Sequence, residues 1–128
     1  MNFIVFPGQG SQKNSMGKDL SDNFIEAKEV FEEVNESLDF NLTKIMWGDD
    51  EKALSLTYNA QPALMACGVA SFRVLKKITG KKLTQLADYV CGHSLGEYTA
   101  MTVSEVFSLK ECSKLLRLRG NAMQKAVP

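Results

Sequence analysis

The chain has 128 residues, of which 45% are hydrophobic and 23% charged, a composition typical of one folded domain and not of a disordered segment. Fifteen basic residues balance fifteen acidic ones, so no net charge draws the chain to nucleic acid or to an anionic membrane surface. The balance of charges therefore excludes no fold and identifies no binding partner.

Cysteine usage and the N-terminus indicate the compartment. Cys67, Cys91 and Cys112 are odd in number and widely spaced, which argues against both a disulfide framework and a zinc site. No basic segment precedes a long apolar run, as it would in a signal peptide, and no stretch is long enough to span a membrane. We therefore expect a soluble cytoplasmic protein that uses neither a metal nor a cofactor.

The N-terminal third of the chain predicts a strand, a loop and a helix. The apolar run Phe3–Phe6 ends at Pro7-Gly8, which is typical of a buried strand that leads into a loop. From Ser21 to Leu38 apolar residues recur at helical spacing, and Ser21 or Asp22 is suited to cap this helix.

The middle of the chain predicts two short helical turns and one long helix. The turns cover residues 41–47 and 49–56. Pro62 is tolerated in a first helical turn, so we expect a helix to begin there and to continue to Ile78. This helix is apolar on most sides through Ala70, which favours a central, buried position.

The last third predicts a strand over residues 88–91, a sharp turn, and two further helices. The turn is Gly92-His93-Ser94-Leu95-Gly96, and a helical pattern follows it to Val103. Ser108 and Glu111 have the spacing of a capping box and open a helix that runs toward Ala126.

The pattern Gly92-x-Ser94-x-Gly96 is that of a nucleophile elbow, in which a serine occupies a strained turn between strand and helix. The serine Oγ is then exposed at the positive end of the helix, and the N–H of Leu95 can donate to an oxyanion that forms when Ser94 attacks a carbonyl. The same pattern can arise by chance in a glycine-containing loop, but its place between a predicted strand and helix favours the nucleophile.

The loop Gly8-Gln9-Gly10 also follows a predicted strand, so it could belong to a dinucleotide-binding fingerprint. Lys13 occupies the position of the third glycine, however, and the next helix begins too late. From the residues alone a tight turn is favoured. A second role, in which the N–H of Gln9 donates to the oxyanion beside the elbow, remains open.

The last helix places Arg119 within an apolar stripe and Arg117 on the opposite, polar face. A buried guanidinium needs an anionic partner, and its planar shape suits a carboxylate, so Arg119 is a candidate for holding an acidic substrate. An internal salt bridge, or a side chain that reaches solvent, is the alternative. His93, the one histidine, is adjacent to Ser94 and should point away from it, so we interpret it as structural and not as a base.

Four segments together resemble malonyl-CoA:acyl-carrier-protein transacylases and the related acyltransferase domains of polyketide and fatty-acid synthases. In chain order they are Phe6-Pro7-Gly8-Gln9-Gly10-Ser11-Gln12, Gln61-Pro62-Ala63-Leu64, Gly92-His93-Ser94-Leu95-Gly96-Glu97-Tyr98 and Arg119-Gly120. The resemblance runs across essentially the whole chain. It implies an α/β fold, with residues 1–128 as the N-terminal part of the large subdomain of an α/β-hydrolase-like core of parallel strands and flanking helices.

The resemblance also implies a reaction in fatty-acid biosynthesis and roles for four residues. Malonyl-CoA would acylate Ser94, and the pantetheine thiol of acyl-carrier protein would then take the malonyl group. Gln9 and Leu95 would provide oxyanion N–H groups, and Arg119 would pair with the free carboxylate of malonate.

Part of the family pattern is missing from these residues. The general-base histidine and the ferredoxin-like subdomain of the family would lie beyond residue 128, so we expect the chain alone to be nearly inactive and its sheet to need a complementing chain or self-association. Two other interpretations therefore remain open, a non-catalytic fragment that binds CoA or acyl-carrier protein, and a serine hydrolase that uses the same elbow.

Overall fold

The computed structural model describes all residues from 1 to 128, and they form two strands and eight helices. In chain order the elements are β1 (Phe3–Phe6), α1 (Lys18–Asn23), α2 (Ile25–Leu38), α3 (Leu42–Met46), α4 (Glu51–Ser55), α5 (Thr57–Thr79), α6 (Leu83–Leu86), β2 (Tyr89–Gly92), α7 (Leu95–Val103) and α8 (Leu109–Ala126).

The two strands lie side by side and parallel, with Phe3 opposite Tyr89 and Phe6 opposite Gly92. A parallel pair needs a long crossover connection, and the six helices between β1 and β2 provide it. The predicted α/β class with parallel strands is confirmed. Because side chains alternate along a strand, Ile4 and Phe6 face the helices, whereas Phe3 and Val5 are exposed on the other face.

Helix α5 is the centre of the hydrophobic core, as its apolar composition predicts. It packs against α2, α7 and α8, and its residues from Asn59 to Ala66 are all buried. The largest apolar side chains that are almost fully buried come from each of these helices and include Phe31, Met65, Leu95 and Leu116. Burial of one such side chain contributes about 1.5–3 kcal/mol, so this contact layer fixes where α7 and α8 lie relative to α5.

The predicted start of the first long helix is wrong. Ser21 and Asp22 lie inside α1, and α2 begins at Ile25 with Phe24 at its N-cap and no side-chain capping bond. Phe24 is extended, with φ −134° and ψ 123°, so it interrupts the helical path between α1 and α2. The periodicity of Phe24, Ala27 and Val30 continues through this break, which is why the pattern alone does not reveal it.

The predicted start of α5 is also wrong, because Pro62 lies inside the helix and not in its first turn. The N–H groups of Asn59 and Ala60 already donate to the carbonyl of Leu56, at 2.9 and 2.8 Å, so helical bonding is established before the proline. The two short helices before it, α3 and α4, are confirmed, and Asp50 caps α4 by accepting from the N–H of Ala53 at 3.0 Å.

The C-terminal elements follow the prediction closely. Strand β2 is displaced by one residue from the predicted range, α7 ends at Val103, and the capping box between Ser108 and Glu111 opens α8. No helix in the chain combines the length and the apolar character that crossing a membrane requires.

Candidate active site

Ser94 lies in the sharp connection between β2 and α7, where only His93 and Ser94 separate strand from helix. Its backbone has φ 55° and ψ −117°, a positive φ that residues with a side chain rarely adopt. Such strain persists only where the surrounding structure imposes it, and it is concentrated at functional sites. The elbow that the sequence predicts is therefore present, with Ser94 at the N-cap of α7 and partly accessible.

Two glycines make this turn possible because the main chain on each side has no room for a side chain. A Cβ on Gly92 would overlap the carbonyl group of Gly96, and a Cβ on Gly96 would overlap the carbonyl oxygen of Phe6. The spacing of the glycines around Ser94 is thus a packing requirement that links the ends of both strands to the first turn of α7.

The loop after β1 packs directly on the elbow. The N–H of His93 donates to the carbonyl of Phe6 at 3.2 Å, and a Cβ on Gly8 would lie 2.9 Å from the carbonyl oxygen of His93. The Gln9 side chain donates from Nε2 to Thr57 Oγ1 at 3.2 Å, and the main-chain N–H of Gln9 has no acceptor within the chain. This close approach brings Gln9 to the same end of the sheet as Ser94.

Leu95 is the first residue of α7, so its N–H has no acceptor within the helix. Its side chain is 1% exposed and anchors the start of α7 in the core. The N-terminal end of a helix carries a partial positive charge, which favours a negative charge at this position. Gln9 and Leu95 thus each offer an unpaired donor at the elbow, and their roles as oxyanion donors stay predictions.

Arg119 extends from α8 to the elbow. Its Nη2 donates to Ser94 Oγ at 3.1 Å, and its Nη1 donates to Gln61 Oε1 at 2.7 Å. The guanidinium also lies 5.2 Å from the centre of the Tyr98 ring, which belongs to the second turn of α7. Helices α5, α7 and α8 together therefore fix one cationic group beside the serine.

No Asp or Glu of the chain pairs with Arg119. The three ion pairs in the structure join Lys18 to Asp22, Lys28 to Glu32 and Lys77 to Glu26, and none of these residues belongs to the elbow or to α8. The alternative interpretation, an internal salt bridge, is wrong. The guanidinium is held by a neutral amide, a hydroxyl and an aromatic ring, so its charge is not neutralised within the chain.

The interpretation of Arg117 as a residue of the polar face is also wrong. Its Nη1 donates to the carbonyl of Tyr58 at 2.8 Å and to Asn59 Oδ1, and its guanidinium lies close to the rings of Phe40 and Tyr58. A helical wheel places Arg117 and Arg119 about 200° apart, but their long side chains reach the same helix, α5, from both sides of α8.

The side chain of His93 makes no hydrogen bond with Ser94. It is exposed, and its Nδ1 would lie 2.8 Å from a Cβ on Gly8. This arrangement agrees with its interpretation as a structural residue.

Sequence reasoning assigned no role to Gln61 or Tyr98, the two side chains that hold Arg119. Gln61 is 1% exposed, and its Nε2 also reaches Met123 Sδ at 3.2 Å. A signal for it was present in the sequence. Gln61 is the one amide in the run from Ala60 to Ala66, which is otherwise apolar, and a buried amide must be hydrogen-bonded.

The thiols near the site are suited to packing. Burial raises the pKa of Cys67 to about 12 and also raises the pKa of Cys112, so neither thiol forms the nucleophilic thiolate near neutral pH. No group of three or more His, Cys, Asp or Glu side chains is arranged to hold a metal ion.

The similarity to known proteins extends over nearly the whole chain. Residues 3–128 match a family model described as the acyl transferase domain. The malonyl CoA-acyl carrier protein transacylase of Bacillus subtilis (strain 168) is 42% identical over 125 residues, which cover 98% of this chain and 38% of the relative. The protein of the same name from Staphylococcus aureus (strain MSSA476) is 38% identical, with the same coverage of both chains.

Solved structures agree with these relatives. The acyl-carrier-protein-S-malonyltransferase of Bartonella henselae superposes with a TM-score of 0.95 at 46% identity, over 100% of this chain and 41% of that one. A type II polyketide malonyl-transacylase in complex with its acyl-carrier protein superposes with a TM-score of 0.89 at 39% identity, over 100% of this chain and 40% of that one. The chain spans about two fifths of the length of the relatives it matches. With the elbow at Ser94 and near-complete coverage by the family model, the chain belongs to the acyl transferase domain family.

Proposed function

We propose that this chain is the nucleophile-bearing part of a malonyltransferase, which moves a malonyl group from coenzyme A to the pantetheine thiol of acyl-carrier protein through a malonyl-serine intermediate. The observation that carries this proposal is the unneutralised guanidinium of Arg119, which is 3.1 Å from the Oγ of Ser94. Names of the related proteins, which mention both malonyl and acyl-carrier protein, support the same substrates and a place in fatty-acid biosynthesis.

The first half-reaction is acylation of the serine. Ser94 Oγ attacks the thioester carbonyl carbon of malonyl-CoA, and the negative charge that develops on the carbonyl oxygen accepts hydrogen bonds from the N–H groups of Leu95 and Gln9. The carbon–sulfur bond then breaks, and the thiol of CoA leaves with the proton that the serine hydroxyl loses. The malonyl group remains as an ester on Ser94.

The second half-reaction reverses these steps with a different thiol. The pantetheine sulfur of acyl-carrier protein attacks the ester carbonyl, the same donors stabilise the oxyanion, and the Ser94 oxygen leaves as a hydroxyl after it regains a proton. A single site thus serves both thiols in turn.

Arg119 gives this site its acyl preference. The free carboxylate of a malonyl group is two bonds from the reacting carbonyl carbon, so it lies close to Ser94 when the ester forms. A guanidinium donates two parallel hydrogen bonds to a carboxylate, and an acetyl group offers no such partner. This difference also favours an acyl transferase over a general serine hydrolase.

A general base must accept the serine proton, and none of the chain's own basic groups is placed to do so. His93 makes no hydrogen bond with Ser94, and the hydrogen bond that reaches Ser94 Oγ comes from Arg119 as donor. We therefore assign the base to a residue outside these 128 positions, in a complementing segment that also covers the exposed strand residues Phe3 and Val5. In serine enzymes loss of the histidine lowers the rate about 10⁶-fold and leaves a residual rate about 10³–10⁴ times that in water.

Intact-mass measurement after prolonged incubation of the purified chain with malonyl-CoA tests the proposal. We expect slow appearance of a malonyl adduct that is absent from the Ser94→Ala variant, with the far-ultraviolet circular dichroism of both proteins unchanged. An equal adduct on Ser94→Ala would overturn the proposal, and absence of any adduct from folded wild-type protein would show that the chain does not react without the segment that supplies the base.

A further inference from the structure

A proline inside α5 opens a gap in the hydrogen bonding of that helix. Pro62 has no N–H, so the carbonyl of Tyr58, four residues earlier, cannot receive its usual helical bond. A proline in a helix interior costs about 3 kcal/mol or more and ordinarily kinks or ends the helix. Here α5 continues to Thr79 without interruption, and the open carbonyl lies only three residues before Gln61, the residue that binds Arg119.

Arg117 fills this gap from the neighbouring helix. Its Nη1 donates to the carbonyl oxygen of Tyr58 at 2.8 Å and also to Asn59 Oδ1. Asn59 is 4% exposed, and its Nδ2 donates in turn to the carbonyl of Ala53 at 2.8 Å, so the bond continues into α4. One guanidinium thus replaces the amide that Pro62 lacks and ties the first turns of α5 to α8.

The surroundings of Arg117 suit this structural contact. The guanidinium lies 4.6 Å from the centre of the Phe40 ring and 4.7 Å from that of the Tyr58 ring. No carboxylate pairs with it, and burial lowers the pKa of this guanidinium. Its partners are therefore neutral acceptors on one turn of α5.

The same turn of α5 also positions Arg119, whose guanidinium the proposed reaction uses. Gln61 Oε1 accepts from Arg119 Nη1 at 2.7 Å, and α8 approaches this turn so closely that a Cβ on Gly120 would lie 2.5 Å from Tyr58 Cα. Arg117 and Arg119 are thus two residues apart on α8 and bind the turn from Tyr58 to Gln61 at both of its ends.

We propose that Arg117 is a positioning residue, which holds the proline-containing turn of α5 so that Gln61 directs the guanidinium of Arg119 toward the substrate carboxylate beside Ser94. This inference rests on the proposed function for its substrate. It goes further, because it makes the preference for a carboxylate-bearing acyl group depend on a residue that touches neither the serine nor the acyl group.

The decisive test removes the hydrogen-bond donor of Arg117 and then supplies a different donor, a main-chain N–H, to the same carbonyl. The Arg117→Met variant keeps an unbranched side chain beside the two rings but removes the donor, and Pro62→Ala restores a main-chain N–H that can reach the Tyr58 carbonyl. The readout is the ratio of malonyl to acetyl adduct on Ser94 after incubation with equal amounts of malonyl-CoA and acetyl-CoA. Arg73→Met, which removes the one other arginine of the chain, is the matched control.

We expect Arg117→Met to lower the malonyl-to-acetyl ratio by about 2- to 30-fold, the range found for residues that act through a contact network. Arg73→Met and Pro62→Ala alone should leave the ratio unchanged, and the double variant Arg117→Met/Pro62→Ala should recover most of the loss. An unchanged ratio in Arg117→Met, or a double variant as impaired as the single one, would overturn the proposal, because the residue would then only stabilise the fold or would act by another route.

A spectroscopic measurement separates this inference from the proposed function. The chain has three arginines, so Arg117→Met leaves two side-chain Nε–H signals in a nitrogen–proton correlation spectrum, those of Arg73 and Arg119. We expect the Arg119 signal to shift in Arg117→Met and to return in the double variant, whether or not an acyl adduct forms. A signal that stays in place would overturn the positioning role, whereas the expected shifts would support that role even if the chain forms no adduct without the segment that supplies the base.

Discussion

The elbow around Ser94 and the crossing of α5 with α8 meet at one site but are built in different ways. The elbow is made of main chain in close contact, since Gly92, Gly96 and the carbonyl of Phe6 leave no space for a Cβ. The crossing is made of long side chains, in which Gln61 and the Tyr58 carbonyl hold two arginines. Ser94, the proposed nucleophile, is therefore fixed by packing, and Arg119, which we propose selects the acyl group, is fixed by hydrogen bonds that single substitutions can remove.

This difference predicts which substitutions destroy the fold and which alter only the chemistry. A close-packed main chain cannot yield to an added methyl group, so changes at the elbow should appear as lost stability. Side-chain hydrogen bonds can be removed or replaced with the helices in place, so changes at the crossing should appear in the malonyl-to-acetyl ratio.

The largest effect is expected for Gly92→Ala. The new Cβ would overlap the carbonyl group of Gly96 and force the strand and helix apart, so we expect the free energy of unfolding to fall by about 3 kcal/mol or more. Urea unfolding followed by circular dichroism measures this. Gly80→Ala is the matched control, because Gly80 has φ 65° and open space around it, and its loss should cost only about 1 kcal/mol. Equal costs at both positions would show that the elbow is not close-packed.

A smaller effect, confined to chemistry, is expected for Gln61→Glu. The new carboxylate would lie beside Arg119 and neutralise the charge that the substrate carboxylate needs, so the malonyl-to-acetyl ratio should fall by about 10- to 100-fold with little change in acetyl transfer. Gln61→Leu, which removes the acceptor but adds no charge, should lower the ratio by about tenfold or less. A ratio that is unaffected by Gln61→Glu would contradict a role for the charge of Arg119.

The smallest effect is expected for the alkylation rates of the cysteine thiols. These rates compare an exposed thiol on strand β2, before the elbow, with a thiol that is buried among the helices. Cys91 is exposed on β2, whereas burial raises the pKa of Cys67 on α5 to about 12. Because only the thiolate reacts, the raised pKa of Cys67 lowers its reactivity near neutral pH. Iodoacetamide labelling at pH 8 followed by peptide mass analysis should find Cys91 modified first. Faster labelling of Cys67 would show that α5 is not closely covered.

The sequence is sufficient to predict the elbow because everything that builds it is local. Glycine spacing around Ser94, an apolar strand before it and a helical pattern after it fall within about fifteen residues. Both strands and the longer helices are predictable for the same reason, whereas the short helix α6 (Leu83–Leu86) is missed. The residues at which elements begin and end are harder to predict. The periodic pattern around Phe24, for example, continues through the break between α1 and α2.

The crossing of α5 and α8 is harder to predict because it depends on contacts between residues about sixty positions apart. The helical wheel identifies Arg119 as inward-facing, but the same wheel misplaces Arg117, whose partner is a carbonyl freed by Pro62 on another helix. The sequence pattern places Pro62 at the start of a helix, so it does not predict the open carbonyl of Tyr58. The sequence indicates that Gln61 needs a hydrogen-bond partner, because it is a lone amide in an apolar run. Only the structure identifies that partner as Arg119.

The most direct test of the central claim, that Arg119 binds the substrate carboxylate beside Ser94, is the malonyl-to-acetyl ratio of the Arg119→Ala variant by intact mass. We predict that the malonyl adduct is lost and the acetyl adduct is retained, because only the malonyl group has a carboxylate for the guanidinium to bind. Equal loss of both adducts, or a ratio equal to that of the wild-type chain, would contradict the claim.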